Sequence, residues 1–210
     1  MEVDFNKIVT RPDPIFLDIG THNGEDSIKF LQMFPGATVY AFEADPAVWP
    51  IFEANVNSKV GYPNSRLKFI KSAVGDIDGQ SSFFSSVEIE KKRPGASGTF
   101  QKPTAHLYLH PHVGFNEVII DCLKLDTWFK NQNIDFIDFA WTDVNGAEVA
   151  LVKGGRNTFL NHTKFLQLEC IDYQLWENQS TRSELANLLP GFALLADDGH
   201  NLLLLNTNLA

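Results

Sequence analysis

Cysteine is nearly absent: Cys122 and Cys170 are the only two among 210 residues. Both lie in apolar runs, VIIDCLKL and FLQLECI, where cysteine behaves as a small core hydrophobe. Two free thiols in a reducing compartment are therefore expected rather than a disulfide scaffold. Long apolar runs are missing too. No stretch reaches the ~18 consecutive apolar residues of a membrane-spanning helix, and the opening MEVDFNKIVTRPDP carries acids where a secretory signal needs an apolar core. These absences point to the cytoplasm and to no membrane span. Positive charge is in deficit as well, with 17 Lys and Arg against 26 Asp and Glu, a formal net charge of −9. A broad nucleic-acid footprint needs a basic face, so no extended nucleic-acid surface is expected.

What is present is a β/α alternation. PIFLDIG (14–20) is an apolar, β-branched run closed by glycine and reads as a buried strand. Asn23 or a neighbour caps a helix in EDSIKFLQMF, and Pro35-Gly36 ends it. TVYAFEA (38–44) is a second strand, with Asp45-Pro46 opening a helix to about residue 57. RLKFIKSAVGD (66–76) reads as a third strand, followed by QSSFFSS as an edge strand. Further strands fall in EVIIDCLKL, IDFIDFAWTDV, TKFLQLECI, FALLA and NLLLLN, with helices after several of them. Repeated units of this size predict one domain over 1–210, with a mainly parallel sheet, helices on both faces and a terminal antiparallel hairpin. Residues 86–116 break the pattern with a Lys-Lys-Arg-Pro run, a Gly-Ala-Ser-Gly cluster and three histidines. They read as an inserted loop, and loops of that length in compact domains are often functional.

The first strand ends in LDIGTHNGEDS. Gly20 and Gly24 permit a tight turn and a close backbone approach to a ligand. The spacing is Gly-x-x-x-Gly; the middle glycine that admits a pyrophosphate in dinucleotide enzymes is lacking, and so is a Walker-type Lys-Ser/Thr. That argues against a nicotinamide-dependent oxidoreductase, the rival enzyme class on this fold. Asp18 suits a zwitterionic amino-acid tail, reached through water or the loop backbone. Glu43, at the end of the second strand, sits roughly 20 residues on, where an acid takes both hydroxyls of a ribose. Ala73 and Val74 leave room for a flat ring. Asp76 stands either as an acceptor for an adenine amino group or as ordinary turn chemistry. Thr21, His22 and Ser27 in the loop, and Ala44 beside Glu43, complete the expected cofactor contacts.

These ordered motifs, FLDIGTHNGEDS, VYAFEADP, SAVGDIDG, GASGTF, LKLDTW, TDVNGAEVALVKGG and FLQLEC, resemble the FkbM family of S-adenosylmethionine-dependent methyltransferases across roughly 15–170. The resemblance implies a Rossmann-like, class I methyltransferase fold with a seven-stranded sheet. It also implies S-adenosylmethionine as donor and transfer to a hydroxyl of a small molecule, sugar or lipid, with nitrogen as acceptor left open. On that fold Asp143 would face the transferred methyl and is the first candidate for general base or acceptor anchor; Glu169 is the second. Asp143 also reads as a helix N-cap before GAEVALV. In one segment the chain departs from the family pattern Lys-x-Asp-Val-Glu-Gly-Ala-Glu: Trp141 replaces the lysine and Asn145 the first glutamate. A non-catalytic, cofactor-binding derivative of the fold is therefore the alternative. His106, His110 and His112 have partial zinc-ligand spacing, but Pro111 breaks any helix and no cysteine completes a set, so no metal is expected. The run Lys91-Lys92-Arg93 reads either as a solvated turn or as a lure for an anionic acceptor. Tyr173 and Trp176 are expected as exposed aromatics at an acceptor pocket or a dimer contact.

Overall fold

A computed structural model describes residues 3–209; the ends of the expected 1–210 domain, residues 1, 2 and 210, lie outside the described residues. After the short helix α1 (Phe5–Ile8), the chain runs through β1 (Ile15–Ile19), α2 (Glu25–Met33), β2 (Thr38–Phe42), α3 (Trp49–Val60) and β3 (Leu67–Ile70). Next come β4 (Ala73–Val74), β5 (Gly79–Glu88), β6 (Arg93–Pro94), α4 (His106–Leu109), β7 (Val113–Leu123) and α5 (Leu125–Lys130). The last part holds β8 (Ile137–Thr142), α6 (Glu148–Gly154), α7 (Arg156–His162), β9 (Thr163–Glu169), α8 (Arg182–Leu188), β10 (Phe192–Asp197) and β11 (Asn201–Asn206).

The main sheet has seven strands in the order β10-β11-β9-β8-β1-β2-β3. Only β11 runs against the others, pairing antiparallel with both β9 and β10. The fold is thus the Rossmann-like, mainly parallel architecture anticipated. The chain moves outward from β1 to β2 and β3, then returns to the other side of β1 with β8. This reversal opens a crevice beyond the carboxyl ends of β1 and β8, where such sheets bind ligands.

Both faces of the sheet are covered, so β1 is apolar on both sides. Phe16 joins Phe5, Phe30, Phe52 and Phe139 in one core cluster; Leu17 and Ile19 join Leu125, Leu151 and Phe159 in the other. Phe16 and Phe30 stack with centroids 4.4 Å apart, which fixes α2 over β1. Truncating either ring to alanine would cost about 3–5 kcal/mol.

Four local expectations change. The third strand divides at Lys71-Ser72: β3 stays in the main sheet, and β4 opens a second sheet of order β4-β7-β5-β6. QSSFFSS is therefore no edge strand, since β5 pairs along ten positions with β7 and also meets β6. Residues 86–116 contain the end of β5, all of β6 and α4, and the start of β7, and are loop only between these. The helix after Asp45-Pro46 begins later, at Trp49, because a turn from Asp45 to Val48 precedes it. Cys122 and Cys170 are free and buried. Among the described residues no helix is long and apolar enough to cross a membrane.

Candidate functional site

A cavity of about 240 Å³ opens beyond the carboxyl ends of β1, β2 and β8. The loop after β1 forms its floor. Gly20, at φ +84, and His22, at φ +49, turn the backbone through the left-handed region. Gly20 and Thr21 donate their main-chain N–H groups to the carbonyl of Phe42, stitching the loop to β2. A Cβ on Gly20 would run into the backbone oxygen of Asp143, so the loop and the end of β8 touch only because glycine is there.

Glu43 is fixed at the end of β2. Its two carboxylate oxygens accept from the main-chain N–H of His22 and of Asp45, each at 2.8 Å. Burial raises its pKa to about 7, against the pull of these two donors. Trp49 donates its indole N–H to the Glu43 carbonyl, which steadies the backbone behind it. Held this way, the carboxylate keeps lone pairs available to a diol in the cavity.

Of the expected cofactor residues, Gly20, Thr21, His22, Glu43, Ala44, Ala73 and Val74 line the cavity. Asp18, Gly24, Ser27 and Asp76 do not. Asp18 points under the loop, where its Oδ2 accepts from Thr21 Oγ1 at 2.6 Å and from Ser27 Oγ at 2.5 Å. It anchors the loop rather than meeting a ligand, and burial lifts its pKa to about 6. Gly24, at φ +79, packs against Phe52 and starts α2. Asp76 is exposed on the surface, outside the cavity lining. The lining also includes Phe83 and Phe100, one from β5 and one from the segment that follows β6, and Asp26 on α2. None of these three carried a local signal in the sequence.

The cavity's charge is one-sided. Glu25, Asp26, Glu43, Asp45 and Asp143 line it, with neither lysine nor arginine among the described lining residues. Such a wall repels a pyrophosphate and suits a ligand carrying a sulfonium and an ammonium. The open loop, the strand-end carboxylate and this field fit S-adenosylmethionine.

At the far end, Asp143 and Glu169 share a hydrogen bond. Burial and the adjoining Glu169 charge push the Asp143 pKa well above the usual carboxylate range. Burial also raises Glu169, with the Glu148 charge adding and the Asp143 hydrogen bond opposing. Two carboxylates this close in a buried place hold one proton between them. Asp143 Oδ1 is closed off from solvent without a hydrogen-bond partner among the described residues. Asp143 is not a helix cap. The pair Asn145-Gly146, at φ +51 and +90, carries the chain on, so α6 begins at Glu148 after Ala147.

The two departures from the family pattern have structural roles. The left-handed backbone at Asn145 favours asparagine over glutamate. The Asn145 side chain donates to the carbonyl of Ala96 at 3.2 Å, and the main-chain carbonyl of Asn145 accepts from Thr99 Oγ1 at 2.7 Å. It thus ties the 95–99 loop over the cavity. Trp141 lies on the cavity wall with its ring near Phe5 and Phe139. Lys91 and Arg93 are both paired with Glu88, which leaves the solvated-turn reading of that run. Trp176 is 2% exposed, not a surface aromatic, whereas Tyr173 is 51% exposed.

Residues 18–194 match the Methyltransferase FkbM domain family. The chain is 34% identical over 191 residues to the 2-O-methyltransferase NoeI of Sinorhizobium fredii, a match covering 90% of this chain and 76% of that protein. Among solved structures it resembles a methyltransferase FkbM from Methylobacillus flagellatus KT, with a TM-score of 0.58 and 16% identity. That match covers 97% of this chain and 46% of the other, so the chain spans about half of that solved relative. It also shares its fold with TrmK of M. capricolum, at a TM-score of 0.50 and 13% identity over 99% of this chain and 69% of the other. The chain belongs to the FkbM family of S-adenosylmethionine-dependent methyltransferases.

Proposed function

We propose that this protein transfers the methyl group of S-adenosylmethionine to a hydroxyl oxygen of a small-molecule, sugar or lipid acceptor, in the cytoplasm. The observation that carries the reading is the buried Asp143–Glu169 pair at the end of the acid-lined cavity. The donor supplies an electrophilic methyl on a positively charged sulfur and leaves as a neutral thioether. Glu43 receives the ribose hydroxyls, the Gly20 turn lets the backbone come close to the amino-acid tail, and Ala73 and Val74 admit the adenine. Glu169 takes the hydroxyl proton as the acceptor oxygen attacks, while Asp143, protonated, donates to Glu169 and steadies it. Positioning supplies much of the remaining acceleration. The 2-O-methyltransferase named among the relatives supports oxygen as the acceptor atom, and the free, buried cysteines support a reducing compartment.

The experiment is a transfer assay with methyl-labelled S-adenosylmethionine and hydroxylated acceptors, following label in the acceptor and release of S-adenosylhomocysteine. Label on oxygen is expected. Tight binding of S-adenosylhomocysteine with no transfer to any hydroxyl acceptor would favour a cofactor-binding protein in which Trp141 and Asn145 mark lost catalysis.

A further inference from the structure

A second cavity, of about 160 Å³, lies beside the first at the carboxyl ends of β8 and β9. Asn145 lines both cavities. The acid pair straddles them, with Asp143 on the first and Glu169 on the second. A proton taken by Glu169 would therefore come from a group in the second cavity.

Stretches far apart in the chain build this cavity. His106 and His110 come from α4 and the residue after it, and Ser97 from the loop that Asn145 ties down. Glu148 and Ser180 belong to the start of α6 and the approach to α8. The 171–180 strap closes one side and is rigid by construction. Gln179 accepts from the N–H groups of Leu175 and Trp176 and donates to the carbonyls of Ile171 and Tyr173. The strap is joined to the α4 segment by Thr104 N–H on the Leu175 carbonyl and by Glu177 N–H on the Lys102 carbonyl. Gly146 has no room for a Cβ, which would meet Trp176 Cδ1 at 2.5 Å. Trp176 in turn stacks on His106, with centroids 4.6 Å apart.

His106 is the unexplained group. It is 4% exposed, and its Nδ1 is buried with no hydrogen-bond partner among the described residues. A buried ring nitrogen without a partner is costly, and this one lines a polar cavity wide enough for a ligand. Like the first cavity, this one has no lysine or arginine in its described lining, which does include Glu148 and Glu169. Glu148, Glu169 and the imidazoles of His106, His110 and His200 are rich in hydrogen-bonding atoms, and the lining holds no permanent cation to meet an anion.

We propose that the second cavity is the acceptor subsite, that it takes a neutral, hydroxyl-rich ring, and that His106 Nδ1 pairs with a hydroxyl of that ring beside the one facing Glu169. Tyr173, exposed at the rim with His200 edge-on at 6.3 Å, offers a face on which such a ring stacks. Segment 86–116 then acts as a wall of the acceptor site through Ser97, His106 and His110.

This rests on the reading of the first cavity as the donor site, and the test keeps the two apart. Protein saturated with S-adenosylhomocysteine is titrated with glucose, galactose, mannose and xylose at millimolar concentration, with glucose 6-phosphate, catechol and n-butylamine as comparators. Saturation-transfer NMR reads binding, and calorimetry reads the affinity for S-adenosylhomocysteine separately. At least one neutral sugar should bind while the phosphorylated sugar does not. His106→Ala and, on the exposed rim, Tyr173→Ala should each weaken sugar binding about tenfold and leave S-adenosylhomocysteine affinity within about twofold. Loss of S-adenosylhomocysteine binding in the wild type would sink the donor-site reading. With that binding intact, three results overturn the acceptor proposal: no sugar bound, a preference for glucose 6-phosphate, catechol or the amine, or sugar binding untouched by both variants.

Discussion

A methyl group placed on Gly20 would overlap the main-chain oxygen of Asp143. The loop after β1 and the end of β8 therefore meet backbone to backbone, and the first cavity opens from that contact. Gly20→Ala forces apart the two strand ends that border the site and also strains a residue at φ +84. We expect a loss of about 2–4 kcal/mol and at least tenfold weaker binding of S-adenosylhomocysteine. Gly61→Ala is the control: φ there is +80, but nothing lies within 4 Å of the added carbon. It should cost only about 1 kcal/mol and leave binding unchanged, as thermal unfolding and calorimetry would show.

The acid pair predicts a split between binding and turnover. Asp143→Ala and Glu169→Gln should each lower kcat by roughly a hundredfold or more, with S-adenosylhomocysteine affinity within about threefold of wild type. Equal loss of binding and turnover would mean that the pair shapes the donor cavity and takes no proton.

Buried acids set the pH dependence of stability. Glu148 has a pKa raised to about 7 by burial, and Asp18 one raised to about 6. Between the unfolded values near 4 and these folded values the native state binds the extra protons. Stability is thus full at the acid end of this window and is lost as pH rises through 6 and 7. The ligand-free protein should melt at a lower temperature at pH 8 than at pH 5. Glu148→Gln, which keeps the shape facing the Gly146 N–H, should flatten that slope by up to about 3 kcal/mol, at 1.36 kcal/mol per pKa unit. An unchanged slope would place the protons elsewhere.

The start of α8 carries a capping box: Thr181 Oγ1 accepts from the Glu184 N–H, and the Glu184 carboxylate accepts from the Thr181 N–H at 3.0 Å. Thr181→Ala should cost about 1 kcal/mol, a fall of roughly 2–4 °C in Tm, with turnover intact.

The donor site was largely legible because its signals are contiguous. A strand, a glycine turn, a helix and a strand-end acid fall within one βαβ unit, so it could be anticipated from order and spacing alone that Gly20 and Glu43 line one cavity. Side-chain direction was not legible. Asp18 lies two residues before the turn glycine Gly20, but its carboxyl points beneath the loop to Ser27 rather than into the cavity. Asp143 also read as a cap; the Asn145-Gly146 pair, a visible turn signal, is what moves the helix start beyond it. The second cavity had no local signature at all. Ser97, His106, Asn145, Glu169 and Trp176 converge only because the four-stranded sheet and the 171–180 strap fold over the strand ends. No periodicity in one segment reports on its distance from another.

The central claim, a donor site built on Glu43, is met most directly by calorimetric titration of the wild type and Glu43→Ala with S-adenosylhomocysteine, with NAD titrated in parallel. The account predicts that S-adenosylhomocysteine binds the wild type, that the variant remains folded and binds about ten- to a hundredfold more weakly, as expected for lost hydrogen bonds to a charged group, and that NAD does not bind. Binding of NAD in place of S-adenosylhomocysteine, or equal affinity in the folded variant, would contradict it.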